Sequence, residues 1–195
     1  MNNCDFLINT NLQGDCTKPL VKGYTREGVL LNFDDVLSYT TAVGALERGE
    51  FSGIVRKATT KGYSIISDDT MPFSGTVKSG VSKAIGVQSQ KTVKFMFTDS
   101  GLTADNAIDI VQNGRFIVVL KKVGAGTNGK SKYEIIGKES PLVWSATAQD
   151  INSTDNDGAW DVTLQTTELH TGNYLWDTDA ETTEALFQGL KTVAV

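Results

Sequence analysis

Residues 124–131 read GAGTNGKS, which fits G-x-x-x-x-G-K-[ST], the phosphate-cradling loop of nucleotide hydrolases. Gly124, Gly129, Lys130 and Ser131 supply its fixed letters. Such a loop works because a strand turns through glycine-rich backbone into a helix, whose first amides then face the anion. The strand is present in RFIVVLKKV, 115–123, where the apolar run from Phe116 to Leu120 predicts a central strand covered on both faces. The helix is not. KYEIIG follows, with Tyr133 and Ile135 alternating against Lys132 and Glu134, an aromatic and β-branched strand pattern. A strand, a loop of Gly and Asn, and a second strand predict a hairpin. No apolar strand ending in a magnesium-binding Asp follows at a suitable spacing. Lys130 is therefore expected at a hairpin tip, without a phosphate role.

The other reactive side chains are few. His170 is the single histidine, in TTELHTGN, and one histidine without a paired nucleophile makes no triad. DINSTDNDG, 150–158, has the acids of a calcium loop in the wrong order, since position six counted from Asp150 is Asp155 where glycine is required. Asn, Asp and Gly there predict a turn between strands. Cys4 and Cys16 lie in a polar stretch with no histidine nearby, and two thiols cannot fill a zinc shell. With no secretory signature before them, they are expected as reduced thiols. No catalytic residue, no cofactor-binding residue, no metal ligand and no cofactor is predicted, and the chain is not expected to be an enzyme.

Whatever the chain does, its elements must be mostly strands. Val93, Phe95 and Phe97 share a face opposite Thr92, Lys94 and Thr98. Trp160, Val162 and Leu164 alternate with Asp161, Thr163 and Gln165. Leu142, Trp144, Ala146 and Ala148 form another such face, as do Val29, Leu31 and Phe33. This period of two marks half-buried antiparallel strands, with the tryptophans expected in the core. IVRKAT, 54–59, and GYSIIS, 62–67, are weaker strand candidates, and the glycine-rich 74–87 is a hairpin or a long loop. Two helices are predicted. In the first, Thr103 is the expected N-cap, Ala104, Ala107, Ile108 and Val111 make the apolar stripe, and Gly114 stops the helix. In the second, 179–191, Asp179 caps and Thr183, Leu186, Phe187 and Leu190 line one face around an unfavourable Gly189.

The chain has 195 residues, 19 of them glycine and 3 proline, and a formal charge of −5. That length suits one domain with a sizeable core, and the glycine excess suits a turn-rich β protein. Lys and Arg are interleaved with acids, so no basic face for reading nucleic acid is expected. No run reaches the roughly 18 apolar residues of a membrane helix. Residues 1–22 are polar and irregular, an expected N-terminal arm, and 23–195 the expected single domain.

The stretch from KTVKFMF through NGRFIVVLKK, KYEIIGKESPL and WSATAQD to GAWDVTLQTTE resembles tail-tube-like structural proteins of tailed bacteriophages, in particular of crAss-like and other Bacteroidetes phages. VKGYTREGVLLNF resembles the start of such chains. The resemblance covers about two-thirds of the sequence. It implies a mostly β (α+β) fold, an antiparallel β-sandwich or barrel of the tail-tube type with one or two flanking helices. It further implies a virion structural protein assembled in the host cytoplasm into a ring, six- or twelve-fold, around a DNA channel in the neck or tail. The partners implied are other copies, adjacent tail or connector proteins, and passing genomic DNA bound without sequence reading, with no membrane. The rival expectation is a stand-alone carbohydrate-binding or adhesin-like β domain in which Trp144 and Trp160 bind the ligand.

Overall fold

A computed structural model describes residues 23–41, 49–67, 72–83, 86–97, 101–126, 129–152 and 158–194. The expected arm at 1–22, with Cys4 and Cys16, lies outside the described residues, as do Thr98 and residues 153–157 of the acidic stretch. The fold is mostly β with two α-helices.

The larger sheet runs edge to edge through β3 (Glu50–Phe51), β12 (Asn173–Leu175), β9 (Tyr133–Ile136), β8 (Phe116–Lys122), β1 (Tyr24–Asn32) and β5 (Tyr63–Ile66). Its pairings are antiparallel except between β12 and β3. A four-stranded antiparallel sheet packs on one face, ordered β10 (Val143–Gln149), β11 (Trp160–Glu168), β7 (Gly86–Phe97) and β6 (Val77–Lys83). The opposite face is covered by helix α2 (Ala180–Gly189) and by a small pair, β2 (Val36–Thr40) with β4 (Gly53–Arg56). The candidates at 54–59 and 62–67 thus form β4 and β5, and the glycine-rich segment from 74 forms the β6–β7 hairpin.

Two cores result. Between the sheets lie Leu30, Phe73, Val93, Phe95, Val118, Leu120, Ile136, Val162 and Leu164, with Phe116 and Ile108 of helix α1 (Leu102–Asn113). Under α2 lie Val29, Leu31, Ile117, Val119, Ile135, Leu175 and Phe187. Successive side chains of one strand feed opposite cores, which is why FIVVL and YEII lack alternation: both faces are covered. Each fully buried Val, Leu or Ile contributes about 1.5–3 kcal/mol. In GVLLNF the expected face holds: Val29 and Leu31 are buried under α2, and Phe33 packs against the same cluster from a short 3-10 turn. The strand is not half-buried, however, since Leu30 is buried between the sheets.

The helices follow their sequences unequally. Asp179 caps α2 as expected, its carboxylate accepting from the Thr182 N–H at 2.7 Å, and Thr183, Phe187 and Leu190 are buried. Gly189 closes α2. The N-cap of α1 is Gly101 and not Thr103, and no side chain caps it. Gly114 follows α1 in extended backbone, so its need for glycine is space against the Phe116 ring, not a left-handed turn.

Side-chain pairs fasten α2 to the large sheet. Burial of Glu184 raises its pKa, but hydrogen bonds from Lys121 (2.6 Å), Tyr133 and Gln188 outweigh that and hold it at about 2. A carboxylate with a depressed folded pKa adds stability that is full above its unfolded pKa and is lost as pH falls through the folded one. The Glu184 contribution therefore fades between about pH 4.5 and about 2. Because Glu184 is a third exposed, it is worth about 1 kcal/mol after screening. Glu184→Gln should lower the urea midpoint above about pH 4.5 by that contribution and converge on wild type toward about pH 2, so that the acid limb of the midpoint-versus-pH curve flattens. A parallel downward shift at all pH would contradict this assignment.

Gly62 marks a close approach. Its N–H donates to the Leu190 carbonyl at 2.8 Å, and an added Cβ would lie 2.7 Å from that oxygen and 2.7 Å from side-chain carbons of Val29 and Leu31. Gly62→Ala should cost about 1–3 kcal/mol by overpacking. Chemical denaturation checks it, and a change within 0.5 kcal/mol, the scale of a neutral surface substitution, would refute the crowding.

Candidate functional site

GAGTNGKS joins β8 to β9, antiparallel neighbours, so the loop is a hairpin connection leading into a strand. The Ser131 N–H donates to the Ala125 carbonyl at 2.8 Å, and Gly126 and Gly129 have φ of 73° and 75°, the left-handed values that favour glycine. Lys130 Nζ lies 3.3 Å from the Glu50 carboxylate and 6.0 Å from the Trp176 ring centre. The helix N-terminus that a phosphate loop requires is replaced by Tyr133–Ile136.

His170 sits after β11, its Nδ1 against Glu139, whose carboxylate also accepts from the Leu169 N–H at 2.6 Å. Burial raises the Glu139 pKa, and these hydrogen bonds reverse the effect and leave it lowered. The pair ties two loops together. In the acidic turn the Asn152 N–H donates to Asp150 Oδ1 at 3.1 Å, a local turn bond. Among the described residues no three His, Cys, Asp or Glu side chains converge as metal ligands, and no helix is long and apolar enough to cross a membrane.

The unforeseen feature is a charged zone inside the sandwich. The inward faces of β7 and β11 begin apolar, with Phe95 and Val93 opposite Val162 and Leu164. They then turn polar at Lys91, Thr166 and Glu168. Lys91 and Glu168 are fully buried and ion-paired, and Glu168 also accepts from the Glu139 N–H at 3.0 Å. Nearby, the fully buried Glu134 of β9 pairs with Lys78 and with Lys122 at 3.1 Å, and accepts from the Tyr24 hydroxyl at 3.2 Å. Burial, and then the Glu134 charge, drive the Tyr24 pKa far upward. Lys122 lies 4.7 Å from the Tyr174 ring centre. This arrangement holds strands of both sheets together. Its sequence signal was the period of two itself: Lys91 and Glu168 fall in step with the apolar residues of their strands.

The outward face of the four-stranded sheet is different in kind. It carries Gln90, Thr92, Lys94 and Met96 of β7, paired with Thr167, Gln165, Thr163 and Asp161 of β11. Its facing charges cancel, since Lys94 Nζ lies 2.8 Å from Asp161. The sheet's outermost strands, β6 and β10, each have one strand neighbour among the described residues. Val77 on β6 is 54% exposed, and Val143 and Trp144 on β10 are each 44% exposed. This corrects the core placement expected for Trp144. Leu142 is buried, but a register shift between Trp144 and Ala146 breaks the alternation, and the indole N–H donates outward to Thr147 Oγ1 at 2.6 Å. Trp160 does pack against the core.

Comparison with known proteins finds no family model, no curated protein and no solved structure that matches the chain.

Proposed function

We propose that this chain is a structural protein of a tailed-phage virion that assembles as a ring around the DNA channel of the neck or tail, as a connector ring or a tail tube. The observation that carries the reading is the pair of edges on the four-stranded sheet, each with a single strand neighbour among the described residues. β10 and β6 are opposite edges of one sheet, each with exposed apolar side chains. An edge of this kind invites another strand. When two different edges of the same chain meet, the contact is head-to-tail, and a repeated head-to-tail contact closes into a ring when its rotation allows. The outward sheet face of Thr and Gln with cancelling charges suits a channel wall, because fixed positive charge there would retain phosphates. The sandwich is of the tail-tube type in this reading, with six or twelve copies, adjacent virion proteins as partners, and no catalysis.

Light scattering and negative-stain microscopy test it, with neighbouring virion proteins present. Wild type should give closed rings, and Trp144→Lys with Ala148→Lys on β10 should abolish them while circular dichroism is unchanged. A strict monomer at high concentration under those conditions refutes the proposal. The exposed Trp144 favours one second reading, a carbohydrate-binding module. Acrylamide quenching of that tryptophan, relieved by a sugar, would support it over the ring.

A further inference from the structure

An apolar groove lies between α2 and β4, on the far side of the molecule from the four-stranded sheet. Its space is about 430 Å³, floored by Leu175 and walled by Ile54 and Val55 on one side and Ala185, Leu186 and Leu190 on the other. Val55 is 43% exposed. Along the other flank of α2, Glu184, Gln188 and Lys191 are engaged with Lys121 and Glu27. On the groove flank Arg56 of β4 closes one end by donating to the Leu190 and Gly189 carbonyls, at 2.9 and 3.2 Å, and the wall of Ala185 and Leu186 before it is apolar. β4 has one strand neighbour among the described residues, β2, so its second edge has no described strand beside it. The site therefore offers two things at once: apolar walls and a strand edge, which together fit a short extended apolar segment.

The chain carries such a segment outside the described residues. Positions 1–22 read MNNCDFLINTNLQGDCTKPLVK, with Phe6, Leu7 and Ile8 set among polar neighbours. The groove runs beside α2 from Thr182 to Gly189. Seven residues of helix span about 10 Å, the length of three residues of strand. The point of attachment is close. The described chain starts at Gly23, whose carbonyl accepts from the Val123 N–H, and four residues later Glu27 pairs with Lys191, next to Leu190 of the groove. The 14 residues from 9 to 22 can span about 46 Å when extended, more than the width of the helix that must be crossed. A tether of this length holds its end at roughly millimolar effective concentration, so modest contacts suffice.

We infer that Phe6–Leu7–Ile8 docks in this groove of its own chain and pairs with the second edge of β4. The inference does not depend on the ring. Hydrogen–deuterium exchange of the full chain tests it, comparing wild type with Leu7→Asp. The amides of residues 53–56 should exchange about 10-fold faster in Leu7→Asp, with the amides of β8 unchanged. Ala185→Arg on the exposed groove wall should give the same acceleration. Equal exchange in wild type and Leu7→Asp overturns the inference. Protection that rises with protein concentration overturns it as well, because the occupant is then another copy's segment.

Discussion

Lys91→Met is expected to destabilise the fold by about 3–5 kcal/mol, read as a large drop in the urea midpoint. Lys91 and Glu168 are both fully buried and paired, inside a sandwich whose other inward residues on those strands are Val, Phe, Leu, Trp, Thr and Ser. Removing the ammonium leaves a carboxylate whose remaining donor among the described residues is the Glu139 N–H at 3.0 Å, far less than full solvation supplied. The decisive comparison is with Lys91→Met combined with Glu168→Leu. Replacing both charges removes the uncompensated one, and the double variant should recover most of the loss, short of what the orphaned Glu139 N–H costs, about 1–3 kcal/mol. If the single variant costs less than 1 kcal/mol, water reaches the site and the buried-pair assignment is wrong. If the double variant is no better than the single one, the loss arises from the shape of the space and not from charge.

Arg56→Met should cost about 2–4 kcal/mol, for a different reason. Past the end of α2 the regular helical bonds stop, and the Gly189 carbonyl takes the Thr192 N–H at 3.2 Å while that of Leu190 takes the Gly62 N–H at 2.8 Å. Arg56 reaches from β4 to both of these carbonyls and to that of Thr192. Its Nη1 donates to Leu190 at 2.9 Å and Thr192 at 3.1 Å, and its Nη2 to Gly189 at 3.2 Å, with Thr60 also bonded at 3.3 Å. Burial lowers the pKa of Arg56, so the protein spends some solvation to hold the charge there. A cation at a helix C-terminus is favoured by the dipole, and each charged hydrogen bond adds to it, though not additively. Arg56→Lys should recover less than half, since one ammonium cannot copy a planar fork across separate carbonyls. Thermal unfolding followed at 222 nm checks the series, and equal stability of the Lys variant and wild type would show that charge alone suffices.

Much of this fold was legible in residue order. Continuous apolar runs marked the strand buried on both sides, because alternation disappears when both faces are covered, as at Phe116–Leu120. Asp179 and the Thr183, Phe187, Leu190 stripe identified α2 because capping and periodicity are local properties. Failures came where geometry is not local. Thr103 looked like a cap, but the helix starts at Leu102 after Gly101. Trp144 looked like core, but a register shift one residue on leaves it at an edge. Glu134 could not be located by its own segment, since its partners Lys78, Lys122 and Tyr24 come from three different strands. The surface offered for assembly was equally hidden, because whether a strand is an edge depends on where every other strand goes.

The Arg56 clamp also bears on synthesis. It joins positions 133 to 136 residues apart, and the helix it holds is the last element of the described chain. Val29 and Leu31 emerge before Ile117 and Val119, yet their cover, Phe187 and Leu190, is made only after every described strand. During translation one face of the large sheet stays greasy and open until the helix arrives. Such high contact order slows folding and lengthens exposure to aggregation. The rate of reaching the native state should therefore track the docking of α2, and loss of those final turns should leave a sticky intermediate bound by chaperones.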